Sequence, residues 1–146
     1  MKIDIKQITE GEESVVIRYR NLTPPIGKII SIINGEEDRL KGKTDDGEVF
    51  FSKDDILYLE SVDDKVFVYT VDKVVRIEGS LNTFLCENAD ESFFRCSKSM
   101  IINVGRVTAL KSLSSNRIDA TMEGGDHIII SRRYASDFRR LLKGDR

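Results

Sequence analysis

The chain has 146 residues, of which 40% are hydrophobic and 33% charged, a balance typical of a folded globular protein and not of a disordered one. This length accommodates one domain, or one domain with a modest extension. No apolar run approaches the roughly 18 residues that a membrane-spanning helix needs, and the N-terminus has no apolar signal core. We therefore expect a cytoplasmic protein, folded throughout, with no membrane segment.

The first 35 residues show the pattern of a β-β-α unit. Alternating or continuous apolar character predicts strands at Lys2–Ile8 and Val15–Tyr19. Thr23, directly before two prolines, is a suitable cap for a following helix. That helix has an apolar stripe spaced for burial on one face and a stop at Asn34-Gly35, the stripe being Ile26, Ile29, Ile30 and Ile33.

A charged and glycine-containing segment follows, from Glu36 to Glu48. Its turn residues, Asp45, Asp46 and Gly47, are typical of a linker. We therefore divide the chain into residues 1–45, an N-terminal extension for dimerisation or partner contact, and residues 46–146, a separate domain.

The second part reads as short strands separated by turns, with one helix in the middle and one at the end. The middle helix begins after Ser80 and ends near Asn88, and the last begins after Ser131, with apolar residues from Tyr134 to Leu142 on one face. The predicted strands are Val49–Ser52, Ile56–Glu60, Lys65–Val71, Val74–Glu78, Phe93–Ser97, Met100–Asn103, Val107–Leu113, Arg117–Met122 and His127–Ser131. The expected fold class is therefore mainly β with helical additions, built on an elongated antiparallel sheet domain.

The sequence offers little support for catalysis. His127 is the only histidine and has no second imidazole to share a metal or a proton relay. The acidic pairs Asp54-Asp55 and Asp63-Asp64 occupy turns, where aspartate bonds its own backbone. Cys86 and Cys96 form no CxxC pair, which indicates free thiols in a reducing compartment. We expect no enzyme activity, no metal site and no cofactor.

Net charge is -2, but the sign changes along the chain. Arg95 to Arg146 contains 11 basic and 5 acidic residues, or +6, whereas the rest contains 12 basic and 20 acidic residues, or -8. An acidic protein with a basic end can still present a local positive surface to phosphate, because salt screens exposed charges beyond about 10 Å. By itself, this asymmetry is as compatible with chance as with nucleic-acid binding.

Basic and polar residues also stand at turns and element ends, where recognition residues are commonly found. Lys65 follows the Asp63-Asp64 turn, Ser97, Lys98 and Ser99 separate two apolar strands, and Arg132 and Arg133 begin the last helix. The amides at a helix start favour phosphate, and basic side chains can donate to guanine O6 and N7. A solvated surface charge is the simpler interpretation of each residue taken alone.

Three segments carry a family signature in this order and spacing. They are Asp55-Ile56-Leu57-Tyr58-Leu59-Glu60-Ser61, Phe93-Phe94-Arg95-Cys96-Ser97-Lys98-Ser99-Met100-Ile101-Ile102-Asn103, and Ile130-Ser131-Arg132-Arg133-Tyr134. Together with the Ser80-Leu81 helix start, they make roughly a hundred residues of the chain resemble the LytTR DNA-binding domain of bacterial regulators.

The resemblance implies a transcription regulator whose loops enter successive major grooves of double-stranded DNA, as two copies on a repeated site. The family's DNA-contacting loops then correspond to Lys65, to Ser97, Lys98 and Ser99, and to Arg132 and Arg133. The family often has histidine in place of Ser97, and arginine or asparagine in place of Lys98. Residues 1–45 are too few for a response-regulator receiver domain, so the stand-alone type is expected, which is commonly linked with membrane proteins.

The alternative is a β-rich protein-interaction or ligand-sensing module, in which the acidic part of the chain faces a partner and the basic C-terminal helix is merely solvated. Salt-sensitive DNA binding distinguishes the two hypotheses, because counterion release makes only the first steeply dependent on salt. RNA binding is a third option, but no aromatic stacking platform is evident.

Overall fold

The computed structural model describes residues 1–34, 39–88 and 92–144. The chain divides into two compact units, Met1–Glu36 and Glu37–Arg146. No helix in the described ranges is both long and apolar enough to cross a membrane.

The first unit contains one helix, α1 (Pro24–Ile33). Thr23 is its N-cap by position, without a side-chain hydrogen bond, and Asn34 caps its end; Gly35 of the predicted stop lies outside the described residues. The predicted strands Lys2–Ile8 and Val15–Tyr19 are wrong, because residues 1–22 contain no strand. Alternation suits a strand but does not create one, since a strand exists only when a neighbour takes up its backbone hydrogen bonds.

The second unit is mainly β with helical additions, as predicted. Its described residues form ten strands and two helices, α2 (Leu81–Glu87) and α3 (Arg132–Leu142). The strands are β1 (Arg39–Thr44), β2 (Gly47–Ser52), β3 (Ile56–Val62), β4 (Lys65–Thr70), β5 (Val74–Ile77), β6 (Phe93–Ser97), β7 (Met100–Asn103), β8 (Val107–Leu113), β9 (Arg117–Met122) and β10 (His127–Ile130).

All strand pairs are antiparallel and form two sheets. The larger has the order β2-β1-β5-β4-β3-β7-β6 and the smaller the order β10-β9-β8. The β3–β4 turn consists of Asp63 and Asp64, both with positive φ (51° and 63°). Two such residues give the turn a twist that matches the flanking strands, and aspartate tolerates this conformation better than most side chains.

The prediction of a linker at Glu36–Glu48 is wrong where the structure describes it. Strand β1 occupies Arg39–Thr44 and pairs with β2 at six positions, from Arg39↔Ser52 to Thr44↔Gly47. Residues 36–38 lie outside the described residues. Hydrophobic patterning does not reveal β1, because Leu40 is its only large apolar residue. Backbone pairing with a strand on each side holds it in the sheet.

Two hydrophobic clusters lie on the two faces of the larger sheet. Cluster 1 joins that sheet to the smaller sheet and α3, with Phe138 fully buried and its ring centroid 5.2 Å from that of Phe94. Cluster 2 lies under α2, where Phe84 and Phe93 meet edge to face with ring centroids 5.0 Å apart. Neighbouring residues of a regular strand point to opposite faces, but Leu57 and Tyr58 both pack in cluster 1. The pairing of β3 with β4 shifts register at this point, between Ile56 and Tyr58.

Candidate nucleic-acid interface

The structure brings the predicted contact residues to one end of the larger sheet. The β3–β4 turn precedes Lys65, and the β6–β7 turn contains Lys98 and Ser99. The two turns lie at the same end because the Ser61 amide donates to the Ser99 carbonyl over 2.8 Å. Strand β3 separates Lys65 from β7, so Lys65 lies about 10 Å from the β6–β7 turn at a strand spacing of about 4.8 Å.

The start of α3 lies beside the same turn. The Ser131 amide donates to the Cys96 carbonyl over 2.8 Å, which connects the helix start to the end of β6. Arg132 and Arg133 follow at once and are exposed, and the guanidinium of Arg133 lies 5.6 Å from the ring centroid of Tyr134. Ser131 is the N-cap by position, but its side chain makes no capping hydrogen bond.

The β6–β7 turn is held from beneath by Arg95. Its Nε donates to the Ser97 carbonyl over 2.8 Å, and one terminal nitrogen donates to the Lys98 carbonyl. The other terminal nitrogen donates to Oδ1 of Asn82 on α2 over 2.7 Å. Within the turn, the Ser99 amide donates to Oγ of Ser97 over 3.3 Å. Lys98 and Ser99 are exposed, so the turn projects into solvent on a braced backbone.

A second brace joins the two sheets near this site. The hydroxyl of Tyr58 on β3 donates to Oδ2 of Asp126, in the β9–β10 turn, over 3.0 Å. Burial, and next the bond to Asp126, raise the pKa of Tyr58 well above its usual value, so the hydroxyl remains a donor at neutral pH. Tyr69 stacks on Tyr58 with ring centroids 4.4 Å apart. Tyr58 and Asp126 line a cavity of about 560 Å³, together with Ser97 and Ser131.

These features fit what comparison with known proteins finds. The family model described as the LytTr DNA-binding domain matches residues 28–143. The chain belongs to the LytTR family. Membership implies DNA-binding transcription regulation.

A solved structure, the LytTr DNA-binding domain of a methyl-accepting/DNA response regulator from Bacillus cereus, is similar with a TM-score of 0.69 and 30% identity. The match covers 72% of this chain and 96% of that one. The sensory transduction proteins LytT of Bacillus anthracis and Bacillus cereus are each 26% identical over 142 residues. This is 97% of the present chain but 50% of each relative, so the chain spans about half their length.

Arg95 is the residue of this LytTR domain that sequence reasoning missed. In the sequence, Arg95 is one basic residue of the C-terminal part and belongs to the family signature, and neither feature indicates a role for it. Strand alternation gives the face on which a side chain starts, but it does not reveal that a guanidinium folds back onto carbonyls two and three residues later. Only the tight turn after Ser97 brings those carbonyls within reach.

His127, Cys86 and Cys96 are the residues whose side-chain chemistry could suggest a reactive site. His127 is exposed, and its Nδ1 lies 3.0 Å from Oδ1 of Asp119, the neighbouring strand's carboxylate. Both cysteines are free thiols, as predicted; Cys86 is exposed and Cys96 buried. Burial raises the pKa of Cys96 to about 12, so its thiol is protonated and a poor nucleophile at neutral pH.

Proposed function

We propose that this LytTR domain is a sequence-specific regulator that binds double-stranded DNA through Lys65, Ser97, Lys98, Ser99, Arg132 and Arg133. The observation that carries the proposal is the convergence of three segments, far apart in the sequence, at one end of the larger sheet. Phosphate contacts would position the domain, while side chains at the turn and helix start would reach base edges in the major groove.

Charge supports the same proposal. The exposed cations Lys65, Lys98, Arg132 and Arg133 form no ion pair with any carboxylate in the described ranges. Each is therefore available to a phosphate or a base. The start of α3 adds the backbone amides of Arg132 and Arg133, and amides at a helix start favour an anion.

We propose further that two copies bind a repeated site, and that residues 1–45 contribute to the contact between copies. The first unit leaves apolar side chains uncovered within its own compact unit: Ile5 is 90% exposed, Val16 73% and Ile32 56%. Exposed apolar surface of this kind favours association with a protein partner. A membrane protein that controls the regulator remains a separate proposal, based only on the resemblance to stand-alone members.

The test compares Lys98→Ala and Arg133→Ala with wild type on duplexes selected from a random DNA pool. We expect each substitution to weaken binding by about 1 to 3 kcal/mol, which is roughly 5- to 150-fold, without changing the melting temperature. Lys111→Ala on β8 is the control, because Lys111 is exposed on the smaller sheet. Unchanged affinity in both folded variants would contradict the site.

Salt dependence tests the function itself. The logarithm of the binding constant should fall with the logarithm of salt concentration by about 0.9 for each phosphate contacted. Retention on heparin should follow the same trend. DNA affinity that ignores salt, together with partner capture that ignores salt, would instead support the protein-interaction or ligand-sensing module.

A further inference from the structure

Helix α2 reaches the β6–β7 turn through Asn82, its second residue. The side chain of Asn82 is exposed, and its Oδ1 accepts from a terminal nitrogen of Arg95 over 2.7 Å. Strand register explains why the two side chains meet. Arg95 follows Phe93 by two residues and is opposed to Ile101, and both of these pack in cluster 2 under α2. Strand alternation therefore places Arg95 on the face of the larger sheet that α2 covers.

The position of Asn82 is fixed by the packing of its helix. Leu81 precedes it and Phe84 follows two residues later, and both of these side chains are buried in cluster 2. At the helix start, Oγ of Ser80 accepts the Thr83 amide over 3.1 Å, which caps α2. A helix held by buried side chains and by a cap keeps its exposed residues in defined places. The amide oxygen of Asn82 is therefore a preorganised acceptor beside the turn.

Asn82 completes the set of acceptors that orients the guanidinium of Arg95. Nε and one terminal nitrogen bond the carbonyls of Ser97 and Lys98, and the other terminal nitrogen bonds Asn82. The guanidinium is a rigid plane, so acceptors on both of its sides fix its orientation, whereas the two turn carbonyls alone leave it free to swing. An amide oxygen is a neutral acceptor, so this bond keeps the positive charge of Arg95 beside the turn.

We propose that Asn82 is a positioning residue for DNA binding, an inference that rests on the proposed function. By holding Arg95 against the carbonyls of Ser97 and Lys98, it keeps the β6–β7 turn in the conformation that presents Lys98 to DNA. Asparagine can also bond an adenine directly, but that contact competes for the amide oxygen that already accepts from Arg95. Helix α2 thus takes part in DNA binding by ordering a turn that lies beside it.

The first test measures NMR order parameters of the Lys98 and Ser99 amides in the full chain without DNA. Asn82→Ala removes the acceptor, whereas Asn82→Asp keeps an oxygen in the same place. Cys86→Ala is the control, because Cys86 is exposed one turn later on α2. We expect the order parameters to fall in Asn82→Ala and to stay at the wild-type values in the other two variants. Unchanged order parameters in Asn82→Ala would overturn the inference, whatever the protein binds.

The second test measures affinity for a selected duplex at several salt concentrations. Asn82→Ala should weaken binding roughly 3- to 10-fold and leave the log-log salt slope unchanged, because it removes no charge.

A double variant shows whether Asn82 acts through Arg95. Arg95→Met has no donor for Asn82, so the addition of Asn82→Ala should weaken binding no further. Losses that add would overturn the inference, since Asn82 would then contact DNA by itself. Lys98→Ala keeps the two proposals apart: if it weakens binding and Asn82→Ala does not, the inference fails and the proposed function stands.

Discussion

At the scale of the residue, Arg95 braces the β6–β7 turn, which carries part of the proposed DNA contact. Its guanidinium takes up two turn carbonyls and joins them to Asn82 on α2. Arginine suits this position because its planar fork offers several donors in fixed directions, whereas lysine offers a single mobile ammonium group. A side chain that binds the turn backbone can therefore determine where Lys98 points.

We predict that Arg95→Lys weakens DNA binding by roughly 1 to 2 kcal/mol, because the charge remains while the turn loses its paired hydrogen bonds. The salt slope should stay at the wild-type value, whereas Lys98→Ala should lower it by about 0.9 if Lys98 contacts a phosphate. Fluorescence titration at several salt concentrations measures both quantities. A wild-type affinity for Arg95→Lys would show that the turn needs no such brace.

At the scale of the element, the hairpin of β1 and β2 depends on a close approach that only glycine permits. A Cβ at Gly42 would lie 2.1 Å from Cγ1 of Val75 and 2.8 Å from the Arg76 carbonyl oxygen. These distances are shorter than van der Waals contact, so β1 must shift relative to β5 to accommodate a methyl group.

We predict that Gly42→Ala lowers the free energy of unfolding by about 1 to 3 kcal/mol through overpacking. Gly27→Ala is the matched control, because a Cβ at this position of α1 meets nothing within 4 Å. The control should be neutral, or stabilising by up to about 1 kcal/mol, since alanine favours a helix over glycine. Urea denaturation measures both, and equal effects of the two substitutions would contradict the packing argument.

At the scale of the whole molecule, the hydrophobic core belongs to the second unit. Both clusters consist of residues from Leu40 onward, and among the described residues the buried hydrophobic side chains begin at Phe51. In the first unit α1 contains no buried residue, although its isoleucines are spaced for one face. Burial of apolar surface is the main favourable contribution to folding. The second unit therefore has a large stabilising contribution of its own, and the first unit has little.

We predict that a fragment of residues 37–146 folds and unfolds with nearly the midpoint of the full chain. If the proposed contact between copies is made by the part of residues 1–45 that the fragment lacks, residues 1–36, the full chain should sediment as a dimer and the fragment as a monomer. Denaturation and sedimentation equilibrium test the two statements independently. A full chain that is monomeric at every concentration would contradict dimerisation through this segment, whatever the stability of the fragment.

Local chemistry predicted much of the second unit. The strands from β2 to β10 and the helices α2 and α3 were recognisable because apolar periodicity, the Ser80 cap and the turn residues all agree there. Ser80 does accept the Thr83 amide over 3.1 Å. Where the local signals conflicted with the environment, prediction failed: Lys2–Ile8 alternates without forming a strand, and Arg39–Thr44 forms one with a single large apolar residue.

The sequence by itself determined the fold class, the family resemblance and the three segments that carry the proposed contacts. Each of these depends on patterns among residues that are close together in the chain. Only the tertiary structure decided that these segments meet at one end of a sheet and that Arg95 braces the turn. These relations depend on strand order and register between residues far apart in the chain. Pairing of distant strands leaves no local pattern from which it could be inferred.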